Sequence, residues 1–212
     1  RMVFALKDNT QQTRFLNTLF VGIDVSKNSN QTCMLDYLGN KFCNFSSSNN
    51  LDGAKEIEEK ILFYLSKHGL SHVKIVLEST GIYSMHIANY LSSSEILIKY
   101  ETEVYVVNPV STANYSKVLS IPGKNDSKDA YALADFVRSN HTKKLKPFRG
   151  AQRLSLQRLT RHRKHIVELL TEEKTYVLNN IFLKFSDFNN GHHGFKCFSD
   201  VFSETSISVL LK

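Results

Sequence analysis

The sequence predicts a mixed α/β fold, a sheet with helices on its faces, followed by a long helical arm. Residues 19–45 contain three short apolar runs in succession, a pattern typical of strands that pair as an antiparallel meander. Alternating helical and strand patterns follow as far as residue 138, which gives the element order βββαβαβα. A helical pattern without Pro or Gly then runs from about residue 152 to 185.

The three strands of the meander come first. Residues 19–25 form an almost wholly apolar, β-branched run, which predicts a strand buried on both faces and ending near an acid. Residues 31–37 and 41–45 predict the next two strands around a tight turn at residues 38–40. Residues 1–17 precede them as an arm of unclear structure.

The next elements show a helical period. Apolar side chains recur at helical spacing over residues 51–65, after the potential capping residues 47–50, and Gly69 ends this helix. Residues 73–78 predict a fourth strand that also ends at an acid, and a helix to about residue 91 follows it.

The last part of the sheet domain is predicted to contain one strand, a loop and one helix. Residues 104–107 predict a fifth strand that Asn108 and Pro109 stop. A loop containing Pro122 and Gly123 then leads to a helix that extends to about residue 138.

Composition excludes several classes of protein. No stretch approaches the roughly 18 apolar residues of a membrane span, and the first twenty residues lack the apolar core of a signal peptide. The three cysteines, Cys33, Cys43 and Cys197, have no CxxC spacing, which argues against a disulfide framework and a structural zinc site. We therefore expect a cytoplasmic protein without a membrane partner.

Positive charge is concentrated in one segment. The chain has 27 Lys and Arg against 20 Asp and Glu, a net charge of +7, yet residues 138–164 contain ten basic residues and no acidic one. A run of one sign favours contact with phosphates, although a solvated linker and helix face is the alternative. The side chains that we expect to bind nucleic acid are Lys143, Lys144, Lys146, Arg149, Arg153, Arg158, Arg161, Arg163 and Lys164.

Four acidic residues could perform chemistry together. Asp24 and Glu78 each end a strand that otherwise reads as buried, while Asp126 and Asp129 lie three residues apart where a loop enters a helix. Four carboxylates at one sheet edge would repel one another without a cation, and they match the oxygen ligands of Mg²⁺ or Mn²⁺. Each acid alone could instead end a strand or cap a helix.

Four blocks of sequence resemble a known family. VGIDVSK (21–27), LESTGIYSMHIANYL (77–91), VYVVNP (104–109) and GKNDSKDAYALA (123–134) resemble the amino-terminal domain of DEDD transposases of the insertion sequence 110 family, which are recombinases guided by a bridge RNA. The resemblance implies an RNase H-like (RuvC-like) fold and a four-acid magnesium site at Asp24, Glu78, Asp126 and Asp129. Two departures are Asn125, where the family usually has Thr or Ser, and a long connection at residues 92–103.

The resemblance also implies an organisation and partners. We expect an amino-terminal arm (1–18), an RNase H-like metal-binding domain (19–140), a basic helical arm (141–190) and the start of a truncated carboxyl-terminal segment (191–212). In the family, a serine on a further domain, absent here, attacks DNA beside the acids. The implied partners are DNA, a guide RNA and copies of the chain, as a dimer or tetramer formed through the helical arm, in the nucleoid of a bacterium or archaeon.

Three other functions fit parts of the sequence. A free-standing nuclease of the Holliday junction resolvase type would share the four acids but cleave without a serine domain. A sugar kinase or actin-like ATPase can also begin with GIDV, but no later Gly-rich phosphate loop follows, and nine glycines are few for that architecture. A nucleic-acid adaptor would retain the fold and the basic segment with idle acids.

Overall fold

A five-stranded mixed sheet forms the centre of the protein. The computed structural model describes residues 11–79, 81–119 and 126–184, together with residues 202 and 204. The strands are β1 (Thr18–Val25), β2 (Ser29–Leu35), β3 (Lys41–Ser48), β4 (His72–Glu78) and β5 (Glu103–Val107). Their order in the sheet is β3-β2-β1-β4-β5. Strand β2 is antiparallel to its neighbours β1 and β3, whereas β4 is parallel to its neighbours β1 and β5.

In the part of the chain that the structure describes, five α-helices follow or connect these strands. They are α1 (Leu51–His68), α2 (Tyr83–Ser93), α3 (Pro109–Val118), α4 (Asp126–Arg138) and α5 (Ala151–Lys184), and a 3₁₀ turn spans Leu97–Tyr100. Residues 11–16 are also helical. The mixed α/β fold expected of an RNase H-like domain is therefore confirmed. Within the described residues, no helix is long and apolar enough to cross a membrane.

The central strand β1 is covered on both faces, as its apolar sequence predicts. Leu19, Val21 and Ile23 pack into a core with α1 and α2 on one face of the sheet. Phe20 packs on the other face in a second core, to which α4 contributes Ala130 and Ala134. This alternation follows from the two-residue period of a strand, and it places the even-numbered residues of β1 on the α4 side.

Helix α1 is capped by one of the four residues predicted for its start and by the glycine predicted for its end. The side chain of Asn50 accepts a hydrogen bond from the backbone N–H of Gly53, which caps the first turn. Gly69 has φ of 62° and donates its N–H to carbonyls of the last turn, so the helix ends where the sequence predicts. Ser47 and Ser48 do not cap it, since they belong to β3, which extends three residues beyond the predicted strand.

The predicted order βββαβαβα omitted one helix, which directly follows the stop of the fifth strand. Asn108 caps helix α3 by accepting a hydrogen bond from the N–H of Val110 at 2.9 Å, and Pro109 occupies the first turn. A proline costs nothing at this position because its missing N–H would have no partner inside the helix. The residue interpreted as a strand stop therefore also starts a helix. The predicted turn at Pro122 and Gly123, and Asn125, lie outside the described residues.

The chain divides into two compact units, Arg1–Leu154 and Ser155–Lys212. The first contains the sheet and helices α1 to α4. It also includes residues 141–150, because Thr142 is buried and the N–H of Phe148 donates to the carbonyl of Val104 at 2.7 Å. The second unit contains most of α5, whose described side chains are almost all exposed. The boundaries expected at residues 18, 140 and 190 stay predictions.

Candidate metal centre

Asp24 reaches the α4 side of the sheet near the carboxyl end of β1. Its neighbours Ile23 and Val25 are buried on the opposite face, so the strand alternation turns Asp24 toward α4, where it is half-buried. In the sheet, Asp24 lies opposite Gln31 of β2. A carboxylate in such a place needs solvent, a hydrogen-bonding partner or a cation.

Helix α4 approaches β1 closely because residue 22 is glycine. A Cβ atom at Gly22 would lie 2.2 Å from the backbone N of Ala134 and 2.3 Å from the carbonyl O of Ala130. No side chain fits there unless the helix moves, since these contacts are with backbone atoms. Gly22 therefore lets α4 pack against the strand two residues before Asp24.

The close packing brings three of the four predicted acids together. Asp126 and Asp129 lie in the first turn of α4, where residues three apart share one side of a helix. Carboxylate oxygens of Asp24, Asp126 and Asp129 all lie within 4.8 Å of one another. We call these residues the three-carboxylate group. Asp126 is exposed, and the other two are half-buried, so the group opens to solvent.

The fourth predicted acid, Glu78, lies on the next strand but outside the three-carboxylate group as the structure describes it. Leu77 pairs with Ile23 in the parallel register between β4 and β1, so Glu78 follows at the same level as Asp24. Its Oε1 accepts a hydrogen bond of 2.6 Å from the hydroxyl of Thr112, a buried residue of α3. Glu78 is thus near the sheet edge that carries Asp24, with one oxygen held by a neighbouring helix.

The donor set fits a hard divalent cation. Three carboxylates within 4.8 Å offer oxygen ligands, which Mg²⁺ and Mn²⁺ prefer, and they leave coordination positions for water or phosphate. Mg²⁺ usually keeps several waters and takes few protein ligands, so a solvent-open group suits it. Asp24, Asp126 and Asp129 are the residues that could hold it, and Glu78 could complete the set.

Sequence reasoning missed the partners of these acids. Thr112 holds Glu78 across 34 residues of chain. The side-chain amide of Asn44 donates to Ser127, which lies between the two aspartates of α4 and 83 residues away in sequence. Neither Thr112 nor Asn44 belongs to a motif. The only available signal for Asn44 was a polar side chain within a predicted strand, and Thr112 gave none because its helix was not predicted.

The predicted basic side chains are exposed in both units. Lys143, Lys144, Lys146, Arg149 and Arg153 are exposed in the first unit; Arg158, Arg161, Arg163 and Lys164 are exposed in the second. Lys164 lies 3.6 Å from Glu168 on the same helix. Exposure keeps these side chains available to phosphates, and their binding role stays a prediction.

Arg138, the first residue of the basic segment, has a structural position instead. Its Nε donates to Oδ1 of the buried Asp135 at 2.7 Å, and its NH1 donates to the carbonyl of Tyr37. The guanidinium thereby ties the end of α4 to the turn between β2 and β3. Arg138 therefore does not belong with the exposed basic residues of this segment, because a half-buried arginine that is paired with an aspartate offers little to a phosphate.

A family model decides the relationship of this chain to known proteins. The model of the DEDD transposase domain of the insertion sequence 110 family, described as a transposase, matches residues 21–183. The chain belongs to this transposase family. The matched span includes all four acids, and the resemblance noted from the four sequence blocks is confirmed.

Two curated relatives of this transposase domain are the pilin gene-inverting proteins of Moraxella lacunata and Moraxella bovis. Each is 26% identical over 160 residues, which cover 76% of this chain and 46% of the relative. The chain therefore spans less than half the length of these relatives. Their names describe proteins that invert a pilin gene.

Two solved structures match this chain at low similarity. T. thermophilus RuvC in complex with a Holliday junction substrate has 11% identity and a TM-score of 0.42, covering 62% of this chain and 99% of that one. The Fowlpox virus resolvase in complex with Holliday junction DNA has 14% identity and a TM-score of 0.34, covering 60% of this chain and 99% of that one.

Proposed function

We propose that this transposase domain provides the divalent-metal site of a DNA recombinase. One observation carries the proposal: the convergence of Asp24, Asp126 and Asp129 within 4.8 Å at a solvent-open sheet edge, in a chain of a transposase family. A bound Mg²⁺ or Mn²⁺ would supply positive charge beside a phosphodiester group and polarise it. The three carboxylates would hold the cation against the edge of the sheet.

The remaining roles follow from the positions of the side chains. Glu78, with one oxygen held by Thr112, keeps its other oxygen for the cation or a water molecule. The sheet and α4 fix the acids on rigid elements, which limits the reorganisation needed when DNA binds. The family resemblance, and not a position in this structure, implies the nucleophile: in the whole protein, it would be a serine on a further domain. The chain alone would then bind nucleic acid without completing strand transfer.

The basic residues support two further partners. DNA is the proposed substrate, and we propose a guide RNA as the partner that selects the sequence. Arg153, Arg158 and Arg161 present planar guanidinium groups, which can contact phosphates through two hydrogen bonds. Lys143 and Lys144 act as point charges. The site of action would be the nucleoid of a bacterium or archaeon.

Helix α5 supports association with a second copy of the chain. Leu159, Ile166, Leu170 and Val177 recur at intervals of seven and four residues, and between 40% and 66% of each is exposed. Apolar residues at this spacing are typical of helices that pair. We propose a dimer or tetramer formed through this helix, tested by sedimentation of Ile166→Glu against wild type, where the variant should shift toward monomer.

A cleavage assay tests the central proposal. Residues 1–212 are incubated with four-way junction DNA and linear duplex DNA in Mg²⁺, Mn²⁺ or EDTA, beside Asp129→Asn and the control Asp52→Asn. Asp52 is an exposed acid in the first turn of α1, so the control removes the same charge from the first turn of another helix. We expect nucleic-acid binding without strand transfer. A parallel calorimetric titration of the same three proteins with Mn²⁺ measures metal binding, which only Asp129→Asn should reduce.

The cleavage and binding measurements together separate the alternative functions. Metal-dependent cleavage of the junction by the chain alone, lost in Asp129→Asn, would replace the proposal with a free-standing resolvase-type nuclease. Nucleic-acid binding without metal binding in any variant would favour a non-catalytic adaptor. Metal binding that is the same in Asp129→Asn and in wild type would contradict the assignment of the site.

A further inference from the structure

Asn44 is a polar residue at an unusual position. It lies in the interior of β3, between Cys43 and Phe45, although asparagine is uncommon in β-strands. In β-sheet register it lies opposite Cys33, whose side chain is buried in the core beneath α4. A half-buried amide on this face costs free energy unless its donors and acceptor are used.

The amide of Asn44 is used on both sides. Its Oδ1 accepts a hydrogen bond from the Nε2 of Gln31 on the neighbouring strand. Its Nδ2 donates to the backbone carbonyl of Ser127 at 2.9 Å and to the Ser127 hydroxyl at 2.8 Å. The contact with Gln31 fixes which way the amide faces, so that the NH₂ group points to the helix.

The two ends of this hydrogen-bonded chain lie beside the three-carboxylate group. Gln31 is directly opposite Asp24 in the pairing of β1 with β2. Ser127 lies in the first turn of α4, next to Asp126 and two residues before Asp129. The chain Gln31–Asn44–Ser127 therefore links the strand that pairs with one acid to the helical turn that carries the other two.

From these contacts, we infer that Asn44 is a positioning residue for the metal centre: it anchors the first turn of α4 so that the aspartates of that turn face Asp24. The inference deepens the proposed function, on which it rests. Gly22 sets how near α4 lies to β1, but it cannot fix the rotation of the first turn, since glycine has no side chain to bond with. A neutral amide can provide that anchor without adding a fourth negative charge to the group.

The test measures Mn²⁺ affinity by calorimetry and hydrogen exchange of the α4 amides. Asn44→Leu keeps the volume of the side chain but removes its hydrogen bonds. We expect a fall of about tenfold or more in Mn²⁺ affinity, the range typical of residues that orient metal ligands. Exchange at residues 130–133, whose N–H groups bond to the carbonyls of the first turn of α4, should accelerate, while exchange in α1 stays as in wild type.

The matched control removes a hydrogen bond elsewhere in the same hairpin. Asn40 donates its amide to Asp36 at the exposed turn between β2 and β3. Asn40→Ala should leave Mn²⁺ affinity within twofold of wild type. If Asn44→Leu also leaves the Mn²⁺ affinity within twofold of wild type, and the amides bonded to the first turn of α4 exchange at the wild-type rate, the inference is overturned.

A second variant decides the question if Asn44→Leu does not fold. Gln31→Met retains the length of the side chain but no longer orients the Asn44 amide, and it should lower Mn²⁺ affinity about threefold. Unchanged affinity and unchanged exchange in Gln31→Met would then overturn the inference. If the wild-type chain binds no Mn²⁺, the proposed function fails, and the exchange of the amides bonded to the first turn of α4 still tests whether Asn44 anchors that turn.

Discussion

The hydroxyl of Thr112 donates a hydrogen bond to Oε1 of Glu78 at 2.6 Å, joining α3 to the end of β4. Thr112 is buried, which limits the access of water to its hydroxyl, while Glu78 is half-buried. A hydrogen bond to a carboxylate contributes more than one between neutral groups. This contact therefore gives the acid a fixed orientation at the edge where Asp24 also lies.

Replacing this threonine tests the value of the contact. Thr112→Val has almost the same shape but no donor, and we expect a loss of about 1.5–3 kcal/mol in the free energy of unfolding. Thr102→Val is the matched control, since its hydroxyl donates to the neutral carbonyl of Leu97 at 2.6 Å, and it should cost about 1 kcal/mol. Urea unfolding at pH 7 measures both. A smaller loss for Thr112→Val than for the control would contradict this account of Glu78.

The packing of α4 on β1 makes Gly22 intolerant of any side chain. Gly22→Ala would place a Cβ atom 2.2 Å from a backbone atom of Ala134, so the helix must shift. We expect a destabilisation of about 1–3 kcal/mol, as for other overpacked sites, together with weaker metal binding. The shift moves Asp126 and Asp129 away from Asp24.

A second glycine separates steric crowding from backbone strain. Gly69 has φ of 62° and nothing within 4 Å of its hypothetical Cβ, so Gly69→Ala adds strain without a clash. It should cost about 1 kcal/mol and leave metal affinity unchanged. Equal metal affinities in Gly22→Ala and Gly69→Ala would show that the close approach of α4 does not set the geometry of the acids.

Much of the sheet was predictable because its strands are locally encoded. The run at residues 19–25 is apolar on both faces, and the structure buries it on both faces. Helix α3 was not predicted because Asn108 and Pro109 also read as the stop of a strand, and because only one residue of the helix, Thr112, is buried. A helix with so little apolar pattern gives no periodic signal.

The candidate site was predicted in outline and not in its supporting contacts. Acids at strand ends and at a helix start obey simple rules of topology, so Asp24, Asp126 and Asp129 could be expected near one another. The hydrogen bonds from Asn44 to Ser127 depend on residues 83 apart in sequence, and no local pattern encodes such a pairing. The structural role of Arg138 was not predictable for the same reason, since its guanidinium donates a hydrogen bond to the carbonyl of Tyr37, 101 residues away in sequence.

Burial of Cys33 predicts slow thiol chemistry. Burial raises the pKa of the Cys33 thiol to about 12, so almost no reactive thiolate forms at pH 8. In a Cys197→Ser background, Ellman's reagent should label the less buried Cys43 first and Cys33 only as the chain unfolds. Because the thiol pKa is higher in the folded state, this group's contribution to stability should be lost as the pH rises from about 9 to 12. Rapid labelling of both thiols in the folded chain would contradict the burial of β2.

The basic residues of α5 should govern the salt dependence of RNA binding. Each phosphate contact contributes about −0.7 to −0.9 to the slope of log K against log salt. Replacing Arg158, Arg161 and Arg163 with Ala should flatten that slope by roughly two to three units if all three contact phosphate. Filter binding across a salt series measures it.

The control for this experiment removes three positive charges elsewhere. Lys41, Lys55 and Lys99 are exposed on the sheet unit, and their replacement with Ala changes the net charge equally. The slope should then stay close to that of wild type. If both triple variants flatten the slope alike, net charge and not the residues of α5 determines binding.

The most direct measurement is a calorimetric titration of wild type, Asp24→Asn and the control Asp52→Asn with Mn²⁺. The carboxylate oxygens of Asp24, Asp126 and Asp129 lie within 4.8 Å of one another, so removing one charge should disable the site. We predict that wild type and Asp52→Asn bind Mn²⁺ with equal affinity, while Asp24→Asn binds at least tenfold more weakly. Equal affinities in all three proteins would contradict the assignment of these carboxylates as the metal centre.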